Sequence, residues 1–133
     1  MHGYKDALKK YPDIKLLDSQ PADFNREKGM VLMENRLRKY KKIDAVGSIN
    51  KDMTMGAVEA ARQVERDKEM IQVTFDVDND ALDALEKGDI LLTGARNERS
   101  QIALALNGYK VPAEQYLPLT LVYKKDVPEY RHE

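Results

Sequence analysis

Cysteine is absent from this 133-residue chain. That excludes disulfides, thiolate metal sites and cysteine nucleophiles, and it fits an oxidising or a reducing compartment equally well. Histidine is nearly absent: His2 and His132 stand at the two ends, where each reads as a solvated residue rather than a general base. An excess of one charge is missing too. The formal net charge is -1, so no global field draws the chain to nucleic acid or to an anionic membrane. No apolar run approaches the ~20 residues of a membrane span. Met1-His2-Gly3-Tyr4-Lys5-Asp6 is polar from its start, and no signal peptide is visible. No nucleophile elbow, phosphate loop or dinucleotide fingerprint occurs. Asp78-Asn79-Asp80 lacks the glycine and distal glutamate of a calcium loop and reads as a helix cap. The chain is therefore read as a non-enzyme, with no catalytic residue, metal ligand or cofactor.

What is present is a single domain's worth of apolar residues, 42% of the chain, under a well-charged surface. Residues 1–133 are read as one α/β domain ending in a polar tail, 124–133. Gly3 to Lys10 carries the spacing of a helix end, stopped by Tyr11-Pro12-Asp13. Ile14 to Leu17 reads as a short strand. Asp23 or Asn25 caps a helix running to about Lys41, with Met30, Met33 and Leu37 as its core stripe. The basic cluster Arg36 to Lys42 falls at that helix's end, where cations offset the macrodipole.

Ile43 to Ile49 is strand-like. Met53 to about Glu65 is helical, its inner side Met53, Ala57, Ala60, Ala61 and Val64. Met70 to Phe75 is an apolar, β-branched run typical of a buried strand. Asp78-Asn79-Asp80 caps a helix that Gly88 ends. A strand over Ile90 to Thr93, a helix from Arg96-Asn97-Glu98 through Leu106, and an edge strand over Leu117 to Tyr123 complete the pattern. Strand and helix alternate over short connections, which predicts a three-layer α/β fold: a mainly parallel sheet flanked by helices.

In such a sheet ligands bind at the carboxyl ends of the strands. Three residues are predicted there: Phe24 after Leu16-Leu17, Asn50 after Ala45 to Ile49, and Asp76 after Met70 to Phe75. Each has a plain alternative, as core residue, turn residue or cap. Together they make a ring, an amide and a carboxylate at one end of the sheet. A ring covers the apolar C–H face of a sugar, and the amide and carboxylate exchange hydrogen bonds with its hydroxyls.

Ser19-Gln20-Pro21-Ala22-Asp23-Phe24-Asn25-Arg26, Asn50-Lys51-Asp52-Met53-Thr54-Met55-Gly56-Ala57 and Phe75-Asp76 resemble the second half of ribose-type sugar-binding proteins of bacterial ABC importers, in the type I periplasmic binding protein class. The likeness runs from about Gly3 to Tyr123. It implies that Phe24 stacks on a sugar ring while Asn50 and Asp76 bind its hydroxyls. Arg96 stands where the family usually has a hinge glutamine, and Val77 replaces a glycine. An arginine there favours an anionic or differently substituted ligand over ribose itself.

The family has two lobes that close on the ligand, and this chain has the length of about one. The resemblance therefore implies a partial monosaccharide site with weak affinity of its own. It also implies an ABC permease as partner of the whole protein, an extracytoplasmic location (with a cytoplasmic one left open by the polar start), and either self-association or pairing with an amino-terminal lobe. An alternative reading is the effector-sensing or protein-interaction module of a LacI-type regulator or a sensor kinase. No helix-turn-helix lies within the chain, so direct nucleic-acid binding is not expected.

Overall fold

The computed structural model describes residues 6–96 and 119–131. Its elements in chain order are helix α1 (Arg26–Lys39), strand β1 (Ala45–Gly47), helix α2 (Lys51–Gln63), strand β2 (Ile71–Phe75), helix α3 (Asn79–Lys87), strands β3 (Leu92–Arg96) and β4 (Leu119–Tyr123), and a short helix α4 (Val127–Tyr130). The sheet order is β1-β2-β3-β4. The first three strands are parallel, joined by α2 and α3, and β4 returns antiparallel to β3.

Local chemistry sets the helix boundaries. Asn25, Asn50 and Asp78 each accept a backbone N–H from the first turn of the helix they precede, at 2.9, 3.1 and 2.9 Å, the N-cap role that extended Asn and Asp fill well. Gly88 ends α3 at φ 77°, a left-handed conformation that glycine adopts without steric cost.

Two apolar clusters lie on either side of α2. Met33 and Leu37 of α1 meet Ile43, Val46, Met70 and the small residues Ala57, Ala60 and Ala61. Val58 turns the other way, toward Leu82, Leu85, Ile90, Val122 and Val127. The alanines have a consequence: α1 and α2 pack in close backbone contact. A Cβ on Gly56 would lie 2.1 Å from the Arg26 carbonyl oxygen, and one on Gly29 would lie 2.6 Å from that of Met53.

Some expectations need correction. Ile14 to Leu17 is not a strand. β1 pairs only with β2 among the described residues; this segment adds no strand beside it, and Ile14 and Leu16 stay half exposed. Phe24 consequently does not follow a strand. The segment is instead pinned to α1, by the Tyr40 hydroxyl donating to the Leu17 carbonyl at 2.8 Å and Arg36 pairing with Asp18 at 3.2 Å.

The expected polar tail is folded in its described part. Lys124–Asp126 forms a 3-10 turn leading into α4. Val127 is fully buried in the second cluster, while Arg131 pairs with Asp83 and Glu86 of α3. One apolar residue at the right place outweighs the polar composition around it. Val64, expected on the inner side of α2, is half exposed because the helix ends at Gln63. The strand expected from Ile90 starts at Leu92, leaving Ile90 as a buried core residue before it. The helix expected over residues 97–106 lies outside the described residues.

The buried face of the sheet is unusually polar, with Gln72, Thr74 and Thr93 buried on it, and Thr54 of α2 is buried as well. The threonines find partners, but Gln72 Oε1 is buried without one. An unsatisfied buried acceptor costs roughly 1–3 kcal/mol. Gln72→Met, close in volume and free of that acceptor, is expected to raise stability by about 1 kcal/mol, read as a higher urea midpoint with an unchanged slope. A lower midpoint would show that the amide is satisfied in solution.

Candidate ligand site at the strand carboxyl ends

Asn50, Asp76 and Arg96 lie at the carboxyl ends of three adjacent parallel strands. Asn50 stands three residues beyond β1, Asp76 directly after β2, and Arg96 closes β3 opposite Leu119. The sheet therefore brings these three sequence-predicted residues to one rim. Phe24 is not at a strand end. It sits two residues before Arg26, the first residue of α1, whose carbonyl lies against Gly56 of α2.

The plain alternative for Phe24 was a core residue. Its 63% exposure rejects that. Asp23 and Phe24 both have positive φ, 50° and 55°, in a turn closed by the Asn25 N–H donating to the Ala22 carbonyl at 2.9 Å. Two successive left-handed residues are costly for non-glycine side chains. The turn is held by Ala22, which is buried, by the Asn25 cap, and by the Asp23–Lys28 pair at 2.6 Å.

Asp76 is also left-handed, at φ 94°. Its backbone is fastened at both polar groups: its N–H donates to the Gly94 carbonyl at 3.1 Å, and its own carbonyl accepts from Thr93 Oγ1 at 2.6 Å. Its carboxylate Oδ2 accepts the Lys51 backbone N–H at 3.2 Å. Asn50 Oδ1 accepts the Met53 N–H, and the Asn50 carbonyl accepts from Thr54 Oγ1 at 3.0 Å. Thr74 Oγ1 similarly donates to the Phe75 carbonyl at 3.2 Å. Three fully buried threonines thus brace the main chain directly beneath the site.

These bonds leave a defined remainder. Among the described residues nothing engages Asn50 Nδ2 or Asp76 Oδ1. The rim then offers an amide donor beside a carboxylate acceptor. Among the described residues no group of three His, Cys, Asp or Glu side chains could hold a metal ion.

Sequence reasoning missed Lys51. Its ammonium bonds Asp78 Oδ2 at 2.6 Å and Asp80 Oδ2 at 3.1 Å, joining the starts of α2 and α3. The available signal was a cation at the first position of one helix and two carboxylates around the cap of the next. Burial on its own raises the Asp78 carboxyl, but the Lys51 ammonium and the Ala81 N–H outweigh it and hold Asp78 below its ordinary value of 3.8. A depressed carboxyl stabilises the fold fully above its unfolded pKa, and that contribution disappears as pH falls through the folded one. Asp78→Asn keeps the cap but removes the ionisation. Its stability is expected to depend less on pH than the wild type's between about pH 5 and 2, in urea titrations at each pH.

Residues 1–107 match the model of the periplasmic binding protein domain. The chain belongs to the periplasmic binding protein family. The ribose import binding protein of Escherichia coli is 31% identical over 131 residues, which cover 92% of this chain and 43% of that protein. A solute binding protein of an ABC transporter from Bacillus halodurans C-125, solved with bound myo-inositol, superposes with a TM-score of 0.82 at 29% identity, over 97% of this chain and 47% of the other. The fructose-binding periplasmic domain of a hybrid two-component system gives a TM-score of 0.82 at 30% identity, over 96% and 45%. The chain thus spans under half the length of each of these periplasmic binding protein relatives.

Proposed function

We propose that this chain binds a monosaccharide or related polyol through Phe24, Asn50, Asp76 and Arg96, as half of a ribose-type solute-binding site of an ABC importer. The carrying observation is the uncommitted donor and acceptor, Asn50 Nδ2 and Asp76 Oδ1, on braced backbone at adjacent strand ends. A diol suits that pair: one hydroxyl accepts from the amide while its neighbour donates to the carboxylate. The exposed Phe24 ring supplies a face for the sugar's C–H groups. Arg96 offers a fork of donors at the third strand end, favours an anionic or differently substituted ligand over plain ribose, and sets which sugar is accepted. The binding is non-enzymatic. An extracytoplasmic location and a permease partner belong to the same reading, and family membership supports them.

Half of a clamp gives weak affinity, because it neither encloses the ligand nor excludes water. Self-association is part of the same reading. The sheet face opposite Gln72 and Val122 carries Ile71, Leu121 and Tyr123, each more than a third exposed. Sedimentation showing a strict monomer at high concentration would count against it.

The test is an NMR titration of the labelled chain with D-ribose, D-allose and myo-inositol. Shifts centred on the amides of residues 24, 50 and 76, lost in Asn50→Ala and Asp76→Ala, support the site. No shift at those amides with any of the three, or submicromolar binding by the isolated monomer, would overturn the reading of a partial sugar site. A second reading, the sensing part of a sensor kinase, is supported by the likeness to the fructose-binding periplasmic domain. A neighbouring kinase gene rather than a permease and an ATPase would favour it.

A further inference from the structure

We infer that Lys51 is the positioning residue of the ligand site: its backbone N–H orients the Asp76 carboxylate while its side chain straps down the loop that carries it. The inference deepens the sugar-site reading but stands on its own geometry.

The short connection from Asp76 to the Asp78 cap of α3 turns at a left-handed Asp76. From the β3 side only its main chain is held, by the Gly94 carbonyl and Thr93 Oγ1. Nothing in those contacts fixes the carboxylate. Fixation comes from α2. The Lys51 N–H, an end group that the helix itself cannot satisfy, donates to Asp76 Oδ2 at 3.2 Å and leaves Oδ1 unengaged among the described residues. The same residue's ammonium crosses to Asp78 and Asp80. Asp52 stands farther off, 3.9 Å from the ammonium.

The Lys51 side chain is only 15% exposed, far less than the 75% of Asp80. It is therefore a packed strap rather than a waving surface lysine. The Asp78 carboxylate beside it raises the lysine above its usual value. One residue thus holds both ends of this connection, and its two roles are coupled: releasing the ammonium unties the start of α3 from α2 and lets the Asp76 carboxylate rotate off the helix.

The test reads the carboxylate directly, without sugar. An amide bonded to a carboxylate shifts as that carboxylate titrates, so the residue 51 amide of the wild type should follow Asp76, and Asp76→Asn should abolish that response. Lys51→Met is expected to lose it, and Lys51→Arg to restore it. Asp78→Asn/Asp80→Asn removes the strap's anchors while asparagine still caps α3, so the experiment does not depend on Lys51→Met folding; it too should lose the response. Survival of the amide response in either strap-cutting variant would overturn the inference, as would failure of arginine to rescue. If the amide response behaves as expected while D-ribose, D-allose and myo-inositol leave the wild type unshifted, the sugar reading fails and the positioning role stands.

Discussion

Gly56→Ala is expected to lower stability by about 3 kcal/mol, roughly 10 °C in melting temperature for a domain of this size. Two effects oppose each other. Alanine in place of a helical glycine gains about 1 kcal/mol of backbone propensity. Against that, the new methyl would meet the Arg26 carbonyl oxygen at 2.1 Å and the Met30 nitrogen at 2.8 Å. Both are main-chain atoms of α1, so no side chain can swing aside and the helix itself must retreat. Retreat opens the packing of Met33 and Leu37 against Ala57, Ala60 and Ala61. In total the steric term exceeds the propensity gain several-fold.

The same displacement moves the Phe24 turn away from the start of α2. Gly56→Ala should therefore impair any sugar response at residue 24 more than at residue 76, which is anchored on β2 and β3. Gly29→Ala, with its Cβ 2.6 Å from the Met53 carbonyl, should show the same pattern. Thermal melts together with the sugar titration check both. An unchanged melting temperature for Gly56→Ala would mean that the helices have slack the backbone contact denies.

Neither glycine was singled out in the sequence. Periodicity revealed which side of α2 faces inward. It could not reveal that the neighbour would be the main chain of α1. Other features were legible because their causes are local. Asn25, Asn50, Asp78 and Gly88 act within one turn of their own helices, and the alternation of strand and helix implied the parallel order of β1 to β3.

What failed was non-local. Ile14 to Leu17 has strand composition, but a strand forms only with a neighbour, and composition does not report one. Val127 sat in a polar stretch, yet its place over α3 decided its burial. At the site, residue types pointed to Asn50 and Asp76 because strand ends share a rim, and the family resemblance added Arg96. Phe24 was named for a wrong structural reason, since it follows no strand. Lys51 was passed over because its partners lie 27 and 29 residues away.

Arg66→Ala is expected to cost about 2 kcal/mol while leaving the site untouched. The guanidinium donates to the carbonyls of Leu37, Tyr40 and Lys41 at 3.0, 3.2 and 2.8 Å, and to Glu69 at 2.8 Å. Those carbonyls lie at and just beyond the end of α1, where helical partners run out. The basic cluster from Arg36 to Lys42 was expected to serve that end. Instead Arg36 goes to Asp18 and Arg38 to Glu34, and the cation that meets these carbonyls comes from beyond α2.

Each charge-assisted bond is worth roughly 1.5–3 kcal/mol, but the carbonyls can partly rehydrate once the side chain is gone, so the net falls well below the sum. Arg66→Lys should recover less than half, because an ammonium cannot fork across three carbonyls. Lys9→Ala, which breaks only the exposed pair with Asp6, should cost no more than about 0.5 kcal/mol. Urea titrations of the three variants test the ranking. If Arg66→Ala matched Lys9→Ala, the carbonyl cap would be a surface contact without weight. Arg66 joins the far ends of the two helices whose starts Gly29 and Gly56 bring together. Its loss should therefore weaken the domain without altering the residue 51 amide's response to Asp76, which separates what stabilises the fold from what arranges the rim.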